Sequence, residues 1–421
     1  MLDSSDTHPE DSAPSNGAPA PQTRFDRHPV LTLLGVVVTL LLVLDVASAS
    51  LYTAVAGTPF HFRNLSQPAV ERGYRNQKTV YHHDLAKKAV VAQAVWGDRR
   101  YFMATDSLGF KNAGPIDVPL RSAKPRMLFI GDSFTEGIGV TYSDTFVGRI
   151  GKALEPTNVE VLNAAVTSYS PIIYWRKIKY LLEEVGLTFD EVVVFLDISD
   201  IDDEANRYVL EDGDRVAWPG LDAFQAGGAT SDHPVKYFIR SHTVALYWVL
   251  NTAHDIVAPE PKTAAQTRYA ALASRFSINT PRGIWTVDPG MMERFGRRGL
   301  ETSAHFLDEL HRLLESRHLK MTLAVYPWPD QILNNDLDSV QVTTWSAWAA
   351  SHGVPFLNYF PCFIERGAGE DARIRVLEQY FIPRDVHWNE AGHKLVADAF
   401  VSFYAAARSG TCALRNAALH F

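Results

Sequence analysis

The chain has 421 residues, of which 46% are apolar and 21% charged, and its formal net charge is −8. This length suits one large α/β core with additions, and the composition excludes a disordered polymer. The acidic balance, without a long run of Lys or Arg, argues against nucleic acid as a partner. Because Cys362 and Cys412 are the only cysteines, a disulfide scaffold and a four-cysteine zinc site are excluded, whereas one bridge between them stays open.

The first fifty residues predict a tail followed by a membrane helix. Residues 1–28 are rich in Pro, Ser, Asp and Ala, a composition that predicts disorder. Residues 29–51 include the uncharged run VLTLLGVVVTLLLVL, and the apolar segment continues past Asp45 to a length that can span a bilayer. Asp45 falls near one end of the segment, where its side chain can reach the interface or pair with a second membrane protein.

Basic residues close to the apolar segment lie on one side of it. Arg24 and Arg27 precede it, and the next basic residue after it is Arg63. The positive-inside rule therefore predicts that the tail is cytoplasmic and that the chain from about residue 52 onward lies outside. The alternative is a cleaved signal peptide, since Ala47-Ser48-Ala49 resembles a cleavage site. Both interpretations export the rest of the chain.

Past the anchor, residues 52–121 mix short apolar and polar stretches and predict an extension that leads into the main domain. The adjacent His82 and His83 lack a second ligand pair, so ordinary packing is expected there rather than a metal site. From 122 to 410, strands alternate with helices, which predicts an α/β domain with a mainly parallel sheet covered on both faces. An irregular insertion is expected at about 204–295. The expected strands are 127–130, 159–163, 191–196, 321–326 and 354–358, and the expected helices are 144–155, 172–185, 298–317, 338–351 and one after Asn389.

Two short motifs at opposite ends of this domain carry reactive groups. Gly131-Asp132-Ser133 follows the first strand, and ligands of open α/β sheets bind beyond the carboxyl ends of strands. Asp385-Val386-His387 precedes the last helix, and a carboxylate there can hold the imidazole Nδ1–H while Nε2 takes a serine proton. The alternative is structural: Ser133 caps a helix and His387 packs in the core.

The strings FIGDSFTEGIGV and DVHWNEAGH resemble the first and last blocks of the GDSL/SGNH hydrolase superfamily, and the resemblance spans about residues 125 to 408. It implies a flavodoxin-like three-layer α/β/α fold. It also implies that Ser133 is the nucleophile, His387 the base and Asp385 the acid that orients the base. In many members the acid lies three positions before the histidine rather than two, and in this chain Arg384 occupies the position three before His387.

In the two middle blocks the chain departs from the superfamily. Ser168, in NAAVTSYSP, stands where a glycine usually donates its backbone N–H to the oxyanion. Ser199, in FLDISDIDD, stands where an asparagine side chain usually completes the oxyanion hole. The predicted oxyanion donors are therefore Ser133, Ser168 and Ser199. Losing one donor typically costs about two to three orders of magnitude in turnover, which leaves open a transferase, a slow hydrolase or a site that only binds.

Other residues are candidates for contacts with a substrate or an ion. Asp132 lies beside the nucleophile, and Tyr326 and Trp328 could form a sugar-stacking wall or simply end a strand. The acidic run from Asp197 to Glu204 lacks the spacing of a calcium loop, so it is interpreted as a solvated loop. The expected acyl chemistry requires no metal and no organic cofactor.

An anchor before such a domain is similar to the membrane-anchored SGNH proteins that O-acetylate polysaccharides, of the alginate O-acetyltransferase type. The resemblance implies acyl transfer through acyl-Ser133 to hydroxyls of an envelope or exported polysaccharide, with a multi-pass membrane acyltransferase as the partner. It also implies a bacterial inner membrane, with the catalytic domain facing the periplasm or the cell exterior. The alternatives are a carbohydrate esterase or general esterase with the same triad, acting on an acyl ester, and a non-catalytic polysaccharide-binding subunit.

Overall fold

The computed structural model describes residues 28–56, 74–75, 77–97, 99–211, 213–219 and 280–406, together with 246, 249–250, 252–253, 272 and 275–278. The chain divides into two compact units. One comprises residues 1–60 and 238–257, and the other comprises residues 61–237 and 258–421. The predicted disordered tail and Cys412 lie outside the described residues, whereas Cys362 is disulfide-bonded.

In the first unit, helix α1 (Pro29–Ala56) contains the predicted anchor. Its segment Pro29–Leu51 has a mean hydropathy of 2.7 and is long and apolar enough to cross a membrane. Only 6% of its most apolar window is buried, so it differs from the core helix of a soluble protein. A signal sequence would share these features, and the predicted orientation of the helix stays a prediction.

The β-strands that the structure describes all lie in the second unit. In chain order they are β1 (Gln77–Thr79), β2 (His82–Asp84), β3 (Val90–Trp96), β4 (Arg99–Thr105), β5 (Lys111–Asn112), β6 (Arg126–Gly131), β7 (Glu160–Asn163), β8 (Glu191–Leu196), β9 (Val209–Glu211), β10 (Arg215–Ala217), β11 (Lys320–Val325) and β12 (Phe356–Asn358).

Its described helices connect and cover these strands. In chain order they are α2 (Ser133–Glu136), α3 (Phe146–Leu154), α4 (Pro171–Tyr180), α5 (Asp200–Asn206), α6 (Pro281–Ile284), α7 (Pro289–Met291), α8 (Arg297–Ser316), α9 (Pro329–Leu333), α10 (Val340–Ser351), α11 (Phe360–Phe363), α12 (Glu370–Tyr380) and α13 (Glu390–Ala405). The predicted strands and long helices are confirmed to within about two residues at each end, with one exception: the predicted helix 172–185 is an α-helix only to Tyr180 and continues as a π-helix over Leu181–Val185.

A five-stranded parallel sheet forms the centre of this unit, in the order β12-β11-β8-β6-β7. Numbered along the sheet-forming part of the chain, this is the order 2-1-3-4-5 of flavodoxin-like folds. Every residue of β6 and β8 is buried, as expected for parallel strands covered on both faces. The predicted α/β class with a flavodoxin-like sheet is therefore confirmed.

The helices pack in two groups around the sheet. Helix α3 packs with α13, and α8 packs with α4 and α5. The predicted apolar face of α3 is buried through Phe146, Ile150 and Leu154. Thr145 fixes the start of α3 by accepting a hydrogen bond from the Gly148 N–H at 3.1 Å, which satisfies one of the helix's free donors.

The described part of the extension is folded and shares the hydrophobic core of the sheet. Strands β1 and β2 form one hairpin, and β3, β4 and β5 form an antiparallel sheet. Tyr81 and Phe110 of the extension belong to the same buried cluster as the strands of the central sheet. Asp84 also pairs with the fully buried Lys177 of α4, at 2.9 Å. The expected insertion at 204–295 contains the end of α5, the β9–β10 hairpin, α6 and α7 where it is described.

Candidate active site

Ser133 lies at the carboxyl end of β6, where the chain turns into the short helix α2. Gly131 permits this turn, because a Cβ there would lie 2.3 Å from Thr135 Oγ1 and 2.8 Å from the Phe195 carbonyl oxygen. Asp132 caps α2 by accepting a hydrogen bond from the Phe134 N–H at 3.0 Å. The sequence thus presents the Ser133 hydroxyl at the edge of the sheet where ligands bind in this fold.

The structure brings the three predicted catalytic residues together in one chain of hydrogen bonds. His387 Nε2 lies 2.7 Å from Ser133 Oγ, and His387 Nδ1 lies 2.6 Å from Asp385 Oδ1. Ser133 and His387 are buried, each with 7% of its surface exposed. Residues 254 positions apart in the chain therefore form the arrangement in which an imidazole can remove a serine proton.

A tight turn before α13 holds the acid and the base. The Ile382 N–H donates to the His387 carbonyl oxygen at 2.8 Å, and the Asp385 N–H donates to the Ile382 carbonyl oxygen at 3.0 Å. Arg384 adopts a left-handed conformation, with φ of 63°. Asp385 Oδ1 accepts the Val386 N–H at 2.6 Å as well as the imidazole N–H. A carboxylate two residues before the histidine can therefore reach the imidazole ring.

The electrostatics of the pair favour the charges that the chemistry needs. Burial favours the neutral imidazole, but the charge and hydrogen bond of Asp385, with the charges of Asp132 and Asp197, raise the pKa of His387 above its usual value. Burial also opposes ionisation of Asp385, but His387 and the surrounding N–H donors lower the pKa of that carboxyl. Asp385 is therefore ionised when His387 takes up a proton.

Trp96, which the sequence did not single out, contacts both members of this pair. Its indole Nε1–H donates a short hydrogen bond to Asp385 Oδ2. Its ring stands edge-on to the His387 imidazole, with centroids 5.3 Å apart and planes at 87°. Phe134 packs on the imidazole as well, with centroids 4.8 Å apart. No motif marks Trp96, because it lies in the extension, 289 positions from Asp385.

Ser168 adopts a backbone conformation that favours glycine. Its φ is 63°, in the left-handed region that favours glycine. Within the described residues, the N–H groups of Ser133 and Ser168 donate no hydrogen bond, which leaves both free for an oxyanion. The Tyr208 hydroxyl donates to the Ser168 carbonyl oxygen at 2.7 Å and helps to fix the loop.

A buried ion pair from the extension supports the same loop. Arg75 makes two hydrogen bonds to Glu136, at 2.6 and 2.7 Å, and Glu136 accepts the Thr167 N–H at 2.8 Å. Burial alone would raise the pKa of Glu136, but Arg75, Lys111 and the Thr167 N–H together lower it to about 2. Glu136 therefore stays ionised and ties helix α2 to the residue before Ser168.

His83 also holds this loop through a hydrogen bond. Its Nε2 lies 2.8 Å from the Thr167 carbonyl oxygen, and its Nδ1 lies 2.7 Å from His82 Nδ1. Burial, together with the neighbouring charges, lowers the pKa of His83 to about 3, so the ring is neutral at ordinary pH. This agrees with the expectation of packing and hydrogen bonding at His82 and His83.

Ser199 is buried at the start of α5, beyond the carboxyl end of β8. Its backbone N–H donates to Asp197 Oδ1 at 2.7 Å and is therefore already engaged. Its hydroxyl makes no hydrogen bond within the part of the chain that the structure describes. The hydroxyl, rather than the N–H, is the group that Ser199 could offer, and its role as an oxyanion donor stays a prediction.

The interpretation of the acidic run as a solvated loop is wrong. Asp197, Asp200, Asp203 and Glu204 are buried, with at most 4% of their surface exposed. Buried donors hold them: Trp328 Nε1–H donates to Asp197 at 2.7 Å, and the Tyr174 hydroxyl donates to Asp200 at 2.7 Å. The spacing of acids in the sequence could not reveal these partners, which lie on other elements.

Two of these carboxylates converge with that of Asp132 behind the nucleophile. One oxygen each from Asp132, Asp197 and Asp200 lies within 4.8 Å of the others. Burial, together with the charge of Asp197, raises the pKa of Asp132 to about 8, and burial raises that of Asp200 far above its usual range. Burial and mutual repulsion therefore oppose the simultaneous ionisation of these carboxyl groups. The spacing of this carboxylate cluster would also suit a cation, but acidic groups at this spacing do not by themselves establish one.

The predicted sugar-stacking wall is not present in this structure. Tyr326 is fully buried and its hydroxyl donates to Asp132 Oδ1 at 3.2 Å. Trp328 has 4% of its surface exposed and donates to Asp197. The prediction failed because both rings cover the carboxylate cluster and so face the core rather than solvent. Asp132, the third predicted contact, is buried with Oδ2 3.1 Å from Ser133 Oγ.

No family sequence model and no curated protein sequence matches the chain. Three solved structures show what it is similar to. A lipolytic protein of the G-D-S-L family from Desulfitobacterium hafniense is 14% identical, covers 65% of this chain and 95% of its own, and gives a TM-score of 0.32. An α/β hydrolase from the metagenome of Lake Arreo is 13% identical, with coverages of 69% and 99% and a TM-score of 0.36. An acetylxylan esterase from Geobacillus stearothermophilus is 13% identical, with coverages of 68% and 95% and a TM-score of 0.33. These low scores carry no weight for the fold or the chemistry of this chain, which rest on its own topology and hydrogen bonds.

Proposed function

We propose that this chain is an SGNH-type serine enzyme that forms an acyl-Ser133 intermediate and passes the acyl group, an acetyl group, to a hydroxyl of an exported polysaccharide. The observation that carries the proposal is the chain of hydrogen bonds from Ser133 through His387 to Asp385, at 2.7 and 2.6 Å. The flavodoxin-like strand order and the position of Ser133 at the end of β6 support it.

The geometry supports two matched half-reactions. In the first, Ser133 Oγ attacks the donor's carbonyl carbon while His387 Nε2 takes the hydroxyl proton, and His387 then protonates the leaving alcohol. In the second, an acceptor hydroxyl attacks the acyl-serine ester, and His387 takes its proton and returns it to Ser133 Oγ. The N–H groups of Ser133 and Ser168, with the Ser199 hydroxyl, are the proposed donors to the oxyanion.

Helix α1 supports the proposed location at a membrane. A chain anchored through Pro29–Leu51, with its catalytic unit outside, would act on envelope or exported polysaccharide. A multi-pass membrane acyltransferase is the proposed partner, because acyl donors made in the cytoplasm must cross the bilayer before they reach Ser133.

Two alternatives use specific features of the same site. The complete triad would also serve an esterase that uses water as the acceptor. The Ser199 N–H is already hydrogen-bonded to Asp197, and Ser199 stands where an asparagine was expected. Both features favour a weak hydrolase or a subunit that binds polysaccharide without catalysis. We favour transfer, since an acceptor held at the acyl-enzyme does not need an efficient hydrolytic site.

The full chain, purified in detergent micelles, provides the test. It is incubated with p-nitrophenyl acetate, with and without a polysaccharide-derived oligosaccharide, and acetate release and sugar acetylation are measured separately. We expect acetylated sugar from the wild type and none from Ser133→Ala. The exposed Ser316 at the end of α8 provides the matched control, and Ser316→Ala should behave as the wild type.

The outcomes separate the three functions. Ser133-dependent acetate without acetylated sugar would identify an esterase. No difference between the wild type and Ser133→Ala, together with oligosaccharide binding by both, would identify a binding subunit and overturn the proposal. A fluorophosphonate probe checks the same point independently, because it should label the wild type at Ser133 and leave Ser133→Ala unlabelled.

A further inference from the structure

The tip of the β3–β4 hairpin in the extension lies against the proposed triad. Trp96 ends β3, and in the register of the two strands it faces Arg99 at the start of β4. Gly97 follows Trp96 in a left-handed conformation, with φ of 56°, which allows the hairpin to turn immediately after the indole. Trp96 is therefore held on a regular element rather than on a free loop.

Arg99 fastens this tip to both sides of the site. Its Nε–H donates to the Gly139 carbonyl oxygen at 3.1 Å, just after the helix that carries Ser133. Its guanidinium also forms an ion pair with Glu390, in the first turn of α13 and directly beyond the turn that carries His387. The hairpin thus bridges the segment that carries the nucleophile and the segment that carries the base.

The two carboxylate oxygens of Asp385 have different partners. Oδ1 accepts the His387 ring N–H and the Val386 and His387 backbone N–H groups. Oδ2 accepts the Trp96 indole N–H, and among the described residues no other donor to Oδ2 is found. Partial rotation of the carboxylate about its Cβ–Cγ bond would move Oδ1 away from the imidazole and break that hydrogen bond. A donor fixed on Oδ2 opposes that rotation.

We infer that Trp96 is a positioning residue of the proposed triad. Its indole N–H fixes the Asp385 carboxylate through Oδ2, and its ring, edge-on to the His387 imidazole, restricts movement of that imidazole. This inference rests on the proposed function, because it concerns the same acid and base. The imidazole contacts both the Trp96 indole and the Phe134 ring, at centroid distances of 5.3 and 4.8 Å. The extension is then part of the catalytic apparatus rather than a spacer between the anchor and the domain.

The indole N–H also affects the charge of the acid. Hydrogen bonds to an ionised carboxylate disperse its negative charge. Burial opposes ionisation of Asp385, and the Trp96 bond, after the larger effects of His387, is among the causes that lower the pKa of this carboxyl. Without that donor, the charge on Asp385 is less dispersed and attracts a proton on His387 more strongly. The base should then remain protonated to a higher pH.

The test replaces Trp96 by Phe, which keeps an aromatic ring and removes the N–H. We expect kcat for p-nitrophenyl acetate to fall by about 10- to 100-fold, with KM changed by less than about threefold. The acid limb of the pH profile should move to higher pH. Trp348→Phe is the matched control, because the Trp348 indole also donates to a carboxylate, Asp308 at 2.7 Å, on elements that carry none of the triad.

Two further variants keep the inference open to contradiction. Trp96→His retains a ring N–H and should recover part of the loss, which also provides a test if Trp96→Phe does not fold. In an Asp385→Ala background, Trp96→Phe should cause little further loss, since its effect passes through the acid. Equal losses for Trp96→Phe and Trp348→Phe, or an unchanged kcat and pH profile for Trp96→Phe, would overturn the inference. Turnover by Ser133→Ala at the wild-type rate would instead overturn the proposed function.

Discussion

Two segments flank Ser133, and they contribute in different ways. The turn that carries Asp385 and His387 acts through side chains, whose atoms lie 2.6 and 2.7 Å from their partners. The loop that carries Ser168 offers a backbone N–H, and other side chains hold that loop in place. Where a side chain takes part in the reaction, the residue type at that position is restricted. Where only a backbone group takes part, the backbone conformation is restricted and the residue type is not.

The extension supports both segments. Trp96 contacts the turn, whereas Arg75 and His83 contact the loop. At the turn the support orients a charge that is already present in the motif. At the loop, the contacts of Arg75 and His83 help Ser168, which is not a glycine, to keep its left-handed conformation. The variants below test this difference, beginning with the one expected to change turnover most.

The turn should be the more sensitive segment. Asp385→Asn preserves the shape of the side chain, but its amide N–H₂ favours a Nδ1 acceptor, which leaves a proton on Nε2 and blocks removal of the Ser133 proton. We expect kcat for p-nitrophenyl acetate to fall by about 10⁴-fold. Asp308→Asn, at another aspartate that accepts an indole N–H, should leave kcat unchanged. A loss below about tenfold for Asp385→Asn would show that the acid is not required.

At the loop, Arg75→Met should act first on stability. It leaves Glu136 buried without its charge partner, which typically costs about 3–5 kcal/mol in the free energy of unfolding. Glu136→Gln in the same chain removes the stranded charge, so the double variant should recover much of that loss. Denaturant unfolding of the detergent-solubilised chain measures both. A loss below about 1 kcal/mol for Arg75→Met would contradict the assigned role of the pair.

The same pair predicts how stability depends on pH. The folded pKa of Glu136 is lowered to about 2, so its contribution is fully present above its unfolded value and is lost as pH falls through the folded value. Arg75→Met should therefore be most destabilising near neutral pH. At a pH near 3, where unpaired Glu136 takes up a proton, the deficit relative to the wild type should shrink. A deficit that is independent of pH would indicate lost packing instead of a lost charge pair.

The pH dependence of turnover tests the turn again. His387 must be neutral to accept the serine proton, and its pKa is raised in the folded chain by Asp385, Asp132 and Asp197 against the opposing effect of burial. Turnover should therefore rise with pH along a limb whose midpoint lies above 6.5. Asp197→Asn removes one of these charges and should lower the midpoint by roughly 0.5 unit. Glu315→Gln, at an exposed position, should leave it in place.

The sequence predicted the parts of the molecule that follow periodic or motif rules. The strand at 191–196 was predicted at the bounds it has, because the continuous apolar run VVVFL lies between Glu191 and Asp197. Ser133, Asp385 and His387 were predicted because their motifs end or begin regular elements. Trp96 and Arg75 were not, because their partners lie on distant elements and one indole or guanidinium in the sequence resembles any other. Tyr326 and Trp328 were misjudged for the same reason, since a buried carboxylate determines which way they face.

The smallest effect should come from Ser168 itself. Ser168→Ala and Ser168→Gly both keep the backbone N–H, so we expect kcat to remain within about threefold of the wild type, far from the cost of losing a donor. Glycine relieves the left-handed strain at φ of 63° but loses more conformational entropy on folding, so its stability should change by less than about 1 kcal/mol. Ser199→Ala is the comparison, because it removes a hydroxyl and should lower kcat by about 100-fold or more if that hydroxyl reaches the oxyanion. A large loss for Ser168→Ala would show instead that the Ser168 side chain takes part, and the difference between the two segments would no longer hold.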